Sequence, residues 1–366
     1  MAAIVGHVTS PNPTSENPTA ATPTAQHPSP GAGPDGRTAG LAARVKELMP
    51  GVRADLEALT RIPSVSLDSF DQQHVEDSAD AVAALLKAEG MDVRIVREGG
   101  RPAVIGHLPG PEGAPTVLLY AHHDVQPPGD EADWNTPMFE PTEIDGRLYA
   151  RGVADDKAGV LAHIAALRAH GGKPPVGVTV FVEGEEEIAS ESLPEILAKH
   201  GDSLKADAIV LADSQNWKIG VPALTTTLRG LVRVVVEVKA LDHGVHSGMF
   251  GGAVPDGLTA LARLLATLHD EEGNVAVAGL KSSEAADLDY PEEVLRAESG
   301  LAEGVQPIGS GSFLTRLWTK PSMTVIGIDA PSVAKAANLL TPVGRAKLSM
   351  RIHPAEVPDT AYDLLK

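Results

Sequence analysis

TVLLYAHHDVQP, residues 116–127, is the stretch on which the fold turns. Its first six residues are mostly β-branched or aliphatic, and it closes on Pro127, so it reads as a buried strand running out into a polar loop. Successive side chains of a strand point to opposite faces, so His122 and Asp124 project the same way and His123 the other. The polar ends of strands are where α/β sheets place their ligands. An imidazole and a carboxylate at this spacing suit a metal ligand and the group that orients it. A lone His-x-Asp is more often a surface loop, so the reading needs company. His123 reads as structural.

Company lies on both sides. Upstream, Val75, Ala79, Val82 and Leu86 recur at helical spacing and Gly90 stands where a C-terminal capping glycine belongs. Short apolar runs near 93 and 103 read as strands. Downstream, residues 143–149 read as a hairpin turning at Asp145-Gly146, and Leu161, Ile164, Ala165 and Arg168 give another helix face. GVTVFVEG (177–184) and AIVLAD (208–213) are further strands, with a helix around 192–200. Strands alternating with helices indicate an α/β domain with a mostly parallel sheet and helices on both faces.

Three more acidic groups sit at the ends of these elements. In RGVADDKAG (151–159), Asp155 or Asp156 could cap the following helix, but two carboxylates exceed what a cap requires. In EGEEEIAS (183–190), four of five positions from Glu183 are Glu. Such a run is usually a solvated turn, yet like charges beside a core strand repel unless a cation compensates them. Asp213 ends the run IVLA, where it could equally be a turn residue. Together these put His or acid at the ends of four strand-like segments, an O/N-rich donor set suited to a pair of divalent metals.

From about residue 223 the pattern changes to α+β. LRGLVRVVVEVKA (228–240), SMTVIGIDA (322–330) and GRAKLSMRIHP (344–354) read as strands, residues 254–273 as an amphipathic helix, and residues 355–366 as the opening of another helix. Residues 1–40 are rich in Pro, Thr, Ser, Ala and Gly, and are expected to be disordered.

Composition sets bounds. At 366 residues two domains are expected. With 30 Lys and Arg against 49 Asp and Glu the net charge is −19, which argues against nucleic acid or an anionic membrane as partner. There is no cysteine, so any metal is held by His, Asp and Glu. No apolar run is long enough for a membrane helix, and the N-terminus lacks a signal-peptide pattern, so a cytoplasmic location is the expectation.

AHHDVQP, RGVADDKAG, EGEEEIAS and LADSQ, in this order and spacing, resemble the M20 metallopeptidases, and more narrowly their carnosine-dipeptidase-like branch. LTTTLRGL and HSGMFGG are also similar to that branch, and the resemblance covers residues 45–366. It implies dipeptide hydrolysis by a water activated between two divalent metals, Zn above all with Mn or Co as substitutes. His122 would bind one ion with Asp124 behind it. Asp155 would bridge both, Glu187 and Asp213 would each ligate one, and Glu186 would be the general base. It implies a catalytic domain at 41–222 and, at 223–353, an inserted ferredoxin-like lid through which two copies pair as a homodimer. In the lid, His246 would stabilise the oxyanion, Arg351 would grip the substrate's C-terminal carboxylate, and Asn338 would also touch substrate. Other readings are an acyl-amino-acid deacylase or carboxypeptidase of the same family, or an inactive binding and dimerisation module. The sequence departs from the family at Ala158 and Ala189, where glycine is usual. The family also returns after the lid to complete the catalytic domain with a last His ligand. Residues 354–366 are expected to begin that return, so that the sequence reads as truncated at its C-terminal end.

Overall fold

The computed structural model describes residues 2–5 and 36–366. Of the segment expected to be disordered, residues 1 and 6–35 lie outside the described residues. The chain divides into two compact units that meet in sequence between Ala223 and Leu224.

Strand β1 (Ala2–Val5) belongs to the second unit. The first contains helices α1 (Gly36–Thr60) and α2 (Gln73–Ala88), strands β2 (Asp92–Val96), β3 (Ala103–Leu108) and β4 (Thr116–His122), and the hairpin β5 (Thr142–Ile144) and β6 (Arg147–Tyr149). Helix α3 (Lys157–Ala169), strand β7 (Gly177–Glu183), helix α4 (Leu193–Leu204) and strand β8 (Ala208–Leu211) follow. The sheet order is β2-β3-β7-β4-β8. Strands β7, β4 and β8 are parallel neighbours, while β3 runs against both β7 and β2, so four of the five strands point the same way.

Alternation explains the layering. Val178, Val180 and Val182 of β7 face a core shared with Val82 and Leu86 of α2 and Val160, Leu161 and Ile164 of α3. Phe181, one residue out of step, faces the opposite core with Leu118 and with Ile196 and Leu204 of α4. Helices therefore cover both faces, and burying each aliphatic side group fully contributes about 1.5–3 kcal/mol. Gly90, at φ +83°, closes α2 as expected, its N–H bonding the Lys87 carbonyl. Edge strand β8 leaves Ile209, Val210 and Leu211 exposed.

The second unit contains β9 (Gly230–Lys239), the two-residue strand β10 (Val245–His246), α5 (Ser247–Phe250), α6 (Gly257–Ala266) and α7 (Glu292–Ser299). Strands β11 (Ser322–Asp329), β12 (Leu339–Leu340) and β13 (Val343–Ile352) and helix α8 (Pro358–Leu365) complete it. Its antiparallel sheet has the order β1-β9-β13-β11. Leu261 of α6 and Ala361 of α8 pack with Val232, Val234, Val236, Leu348 and Met350 in one core, so this unit is α+β. Thus α8, in the stretch expected to lead back towards the first unit, is anchored here. Helix α6 is shorter than the predicted 254–273. It starts where the Asp256 carboxylate accepts the Thr259 N–H at 2.7 Å, and beyond Ala266 the backbone turns so that His269 bridges Val275. Among the described residues no helix is long and apolar enough to cross a membrane.

Candidate metal centre and active site

Strand β4 delivers His122 and Asp124 to the C-terminal edge of the sheet. The His122 imidazole is fully buried, and its Nδ1 lies 3.1 Å from the Asp124 carbonyl oxygen. A carbonyl only accepts, so Nδ1 carries a hydrogen and Nε2 is the nitrogen left to meet a cation. That Nε2 lies 3.2 Å from Asp155 Oδ1 and 3.9 Å from Asp213 Oδ2. One donor atom from each of His122, Asp155 and Asp213 falls within a 4.8 Å cluster.

The donor chemistry fits a divalent cation. Burial alone would lower the His122 pKa, but the Asp124 carboxylate and further acids outweigh it and raise it to about 10. Burial lifts Glu186 to about 7, with Glu187, Asp213 and Asp124 adding repulsion against the His122 charge. Burial raises Glu187 too, its hydrogen bond from Gln126 notwithstanding. Crowded acid held above its ordinary range around one imidazole is a charge imbalance that a dication relieves.

The two carboxylates before α3 part company. Asp155 faces the cluster. Asp156 turns back, its Oδ2 accepting the His122 main-chain N–H at 3.1 Å, and makes no side-chain cap to α3. Gly159 is required here, because a Cβ at that position would collide with the Asp156 carboxylate.

The acidic run 183–187 is divided in the same way. Glu183, fully buried at the end of β7, accepts the Tyr120 hydroxyl at 2.9 Å. Glu185 is also buried, and its carboxylate accepts the main-chain N–H groups of Arg101 and Ser192. Glu186 and Glu187 form a single helical turn on the site side, and their N–H groups donate to Asp124 Oδ1 and Oδ2 at 3.2 and 3.1 Å. Asp124 therefore holds both the imidazole and the acidic turn. His123 points away, donating from Nε2 to the Pro102 carbonyl at 2.9 Å, and burial pushes it down to about 4.

Several contributors escaped the sequence reading. Ser66 Oγ donates to Asp124 Oδ2 at 2.7 Å, and Arg101 donates to the Ser66 carbonyl at 3.0 and 3.1 Å. Gln126, two residues past Asp124, donates to Glu187 Oε2 at 2.6 Å, and the same period of two that paired His122 with Asp124 could have flagged it. Lys157 is buried and gives its ammonium to the Leu59 and Ile62 carbonyls.

The remaining sequence candidates lie in the second unit. His246 Nδ1 accepts the Gly248 N–H at 3.0 Å, and strand β10 pairs with β12 directly after Asn338, whose carbonyl accepts the Ser247 N–H at 3.0 Å. His246 and Asn338 are thus neighbours. Arg351 is exposed on β13, between Leu231 of β9 and Ser322 of β11.

A family model described as peptidase family M20/M25/M40 matches residues 118–359. The chain is 35% identical over 298 residues to a cysteinylglycine-S-conjugate dipeptidase of Corynebacterium striatum, covering 80% of this chain and 65% of that protein. It is 34% identical over 278 residues to a beta-Ala-His dipeptidase of Rattus norvegicus, covering 70% of this chain and 55% of that protein. Human carnosine dipeptidase 1 has a similar structure, with a TM-score of 0.72 at 27% identity over 89% of this chain and 75% of that one. The di-peptidase Dug1p of Saccharomyces cerevisiae shares the fold, with a TM-score of 0.75 at 24% identity over 90% and 74%. The chain spans less than two thirds of the length of the first two relatives.

Proposed function

The chain belongs to peptidase family M20/M25/M40, and from that premise we propose that it takes part in metal-dependent hydrolysis of the peptide bond of dipeptides. The observation that carries the reading is the convergence of His122 Nε2, Asp155 and Asp213 in one 4.8 Å cluster, with Asp124 behind the imidazole. These three residues would hold one divalent ion. Asp155, shared with Glu187, would contribute to a second. Zinc is the metal proposed, because imidazole and carboxylate suit a borderline ion.

When bound, such ions polarise a scissile carbonyl and acidify a water. The protein's own residues supply the rest. The Glu186 carboxylate takes the proton of the attacking water and returns it to the leaving amine. Asp124 fixes the His122 ring through Nδ1 and holds the main chain at Glu186 and Glu187. Arg351 presents a fork that matches a C-terminal carboxylate. His246 donates to the developing oxyanion, and Asn338 supports the loop that carries it. The partner of the 223–353 region is a second copy of the chain. The relatives' names support dipeptide substrates: one acts on cysteinylglycine S-conjugates, another on beta-Ala-His.

The test is zinc titration of the purified protein, followed by hydrolysis of Cys-Gly and beta-Ala-His. Binding that Asp155→Asn weakens, and turnover that Glu186→Gln abolishes with metal content unchanged, support the reading. A protein that takes up no zinc, or a Glu186→Gln variant with full turnover, overturns it.

A further inference from the structure

The second unit contains a cavity of about 470 Å³ between α7, the segment after it and the start of β11. That volume is in the range of small-ligand sites. Its walls are largely apolar, with Leu295, Leu301 and Phe313 half-buried around it, and three cations, Arg229, Arg316 and Lys320, line it. No Asp or Glu is among the lining residues, in a protein of net charge −19.

The three cations lack the carboxylate partner that many arginines elsewhere in this protein have. Arg53, Arg61, Arg97, Arg101, Arg168, Arg296 and Arg345 each reach a carboxylate. Arg229, Arg316 and Lys320 form no ion pair among the described residues. Arg316 is anchored to the Gly311 and Ile308 carbonyls and lies 4.7 Å over the Phe313 ring, and Lys320 bonds Ser310. Arg229, half-buried, has one hydrogen-bond partner among the described residues, the Ser322 hydroxyl at 3.2 Å, for a fork of five N–H donors. Burial and the nearby Arg351 charge both work against its cationic form. A desolvated, under-used guanidinium at the rim of an apolar cavity is the arrangement that recognises a carboxylate on a hydrocarbon body.

We propose that this cavity binds a small monocarboxylate with an apolar tail, its carboxylate on Arg229 and its tail between Leu295, Leu301 and Phe313. The site goes beyond the hydrolytic reading and uses none of the residues placed in it.

The probe is octanoate, titrated calorimetrically into the whole 366-residue protein. Octanoate binds, and octylamine and inorganic phosphate do not compete for it. Arg229→Gln weakens binding roughly tenfold or more, as loss of a charge-assisted pair does. Val305→Glu, an exposed substitution on the lining, does the same by repulsion and keeps the test decisive if the Arg229 variant folds poorly. Asp155→Asn leaves octanoate affinity unchanged, which separates this site from the metal centre. Equal binding of octylamine, displacement by phosphate, no binding of octanoate, insensitivity to both cavity variants, or loss of binding in Asp155→Asn overturns the proposal.

Discussion

Asp124 Oδ1 accepts the main-chain N–H of Glu186 at 3.2 Å, while the carbonyl of the same Asp124 accepts from His122 Nδ1 at 3.1 Å. One residue therefore sets the imidazole and the acidic turn in register. Asp124→Ala keeps the main-chain carbonyl but removes the carboxylate that lies 3.4 Å from His122 Nδ1 and holds the Glu186 and Glu187 N–H groups. It is expected to weaken zinc binding about 10–100-fold, as loss of a supporting carboxylate around a metal ligand typically does. Asp124→Asn should fall between, because its amide keeps one acceptor oxygen but turns an NH₂ towards a main-chain donor. Competitive titration with a chromophoric chelator reads both. Wild-type affinity in Asp124→Ala would remove Asp124 from its positioning role.

The cluster of His122, Asp155 and Asp213 belongs to the folded protein, so zinc should stabilise it. At free zinc 100 times the dissociation constant the gain is about 2.7 kcal/mol. Urea unfolding with and without zinc measures it. Asp155→Asn is expected to lose most of the gain while unfolding normally in chelator.

Ala189 lies at φ +80°, a left-handed conformation that an L side chain adopts at a cost of about 1–2 kcal/mol. Ala189→Gly should therefore stabilise the protein, by about 0.5–1 kcal/mol after glycine's greater backbone entropy is subtracted. Ala158, in the first turn of α3, has no such strain, and Ala158→Gly should destabilise by about 0.5–1 kcal/mol. Paired denaturation curves check the opposite signs. The same substitution type at two departures from the family pattern thus separates backbone strain from helix entropy.

His163 is buried in α3, and its Nε2 donates to the Tyr120 carbonyl at 2.8 Å. Burial holds its pKa below the ordinary value, and that hydrogen bond offsets only part of the effect. The unfolded state then binds a proton near pH 6.5 that the folded state refuses. The neutral ring's contribution is complete above pH 6.5 and is lost as pH falls below it. His123, pushed down to about 4, acts with the same sign and contributes up to about 3 kcal/mol. Glu186, raised to about 7, works in the opposite direction over the same window, so the histidine part is read by comparison. Between pH 7 and 5 His163→Gln, which keeps a donor but cannot charge, should lose less stability than the wild type in urea titrations.

Much of this fold was legible because strands ending in His or acid betray themselves by a period of two. Residues 116–127 reveal both β4 and its polar end, and Gly90 marks the close of α2. The limits are equally physical. Helical spacing persists through Leu268, so the periodicity carries α6 past Ala266, where the backbone in fact turns to pair His269 with Val275. Four glutamates within five positions look alike in sequence. Only burial separates Glu183 and Glu185, which are consumed by Tyr120, Arg101 and Ser192, from Glu186 and Glu187. Ser66 and Arg101 act through hydrogen bonds across long sequence separations and leave no local pattern.

The three clustered donors come from the end of β4, the turn before α3 and the residues just past β8. The unfolded polypeptide does not hold these three together, so this site exists only once the sheet has formed. During synthesis the ion has no seat until Asp213 has left the ribosome and β8 has docked beside β4. Uptake of metal is therefore a late event, and its kinetics can serve as a clock for the closing of this sheet.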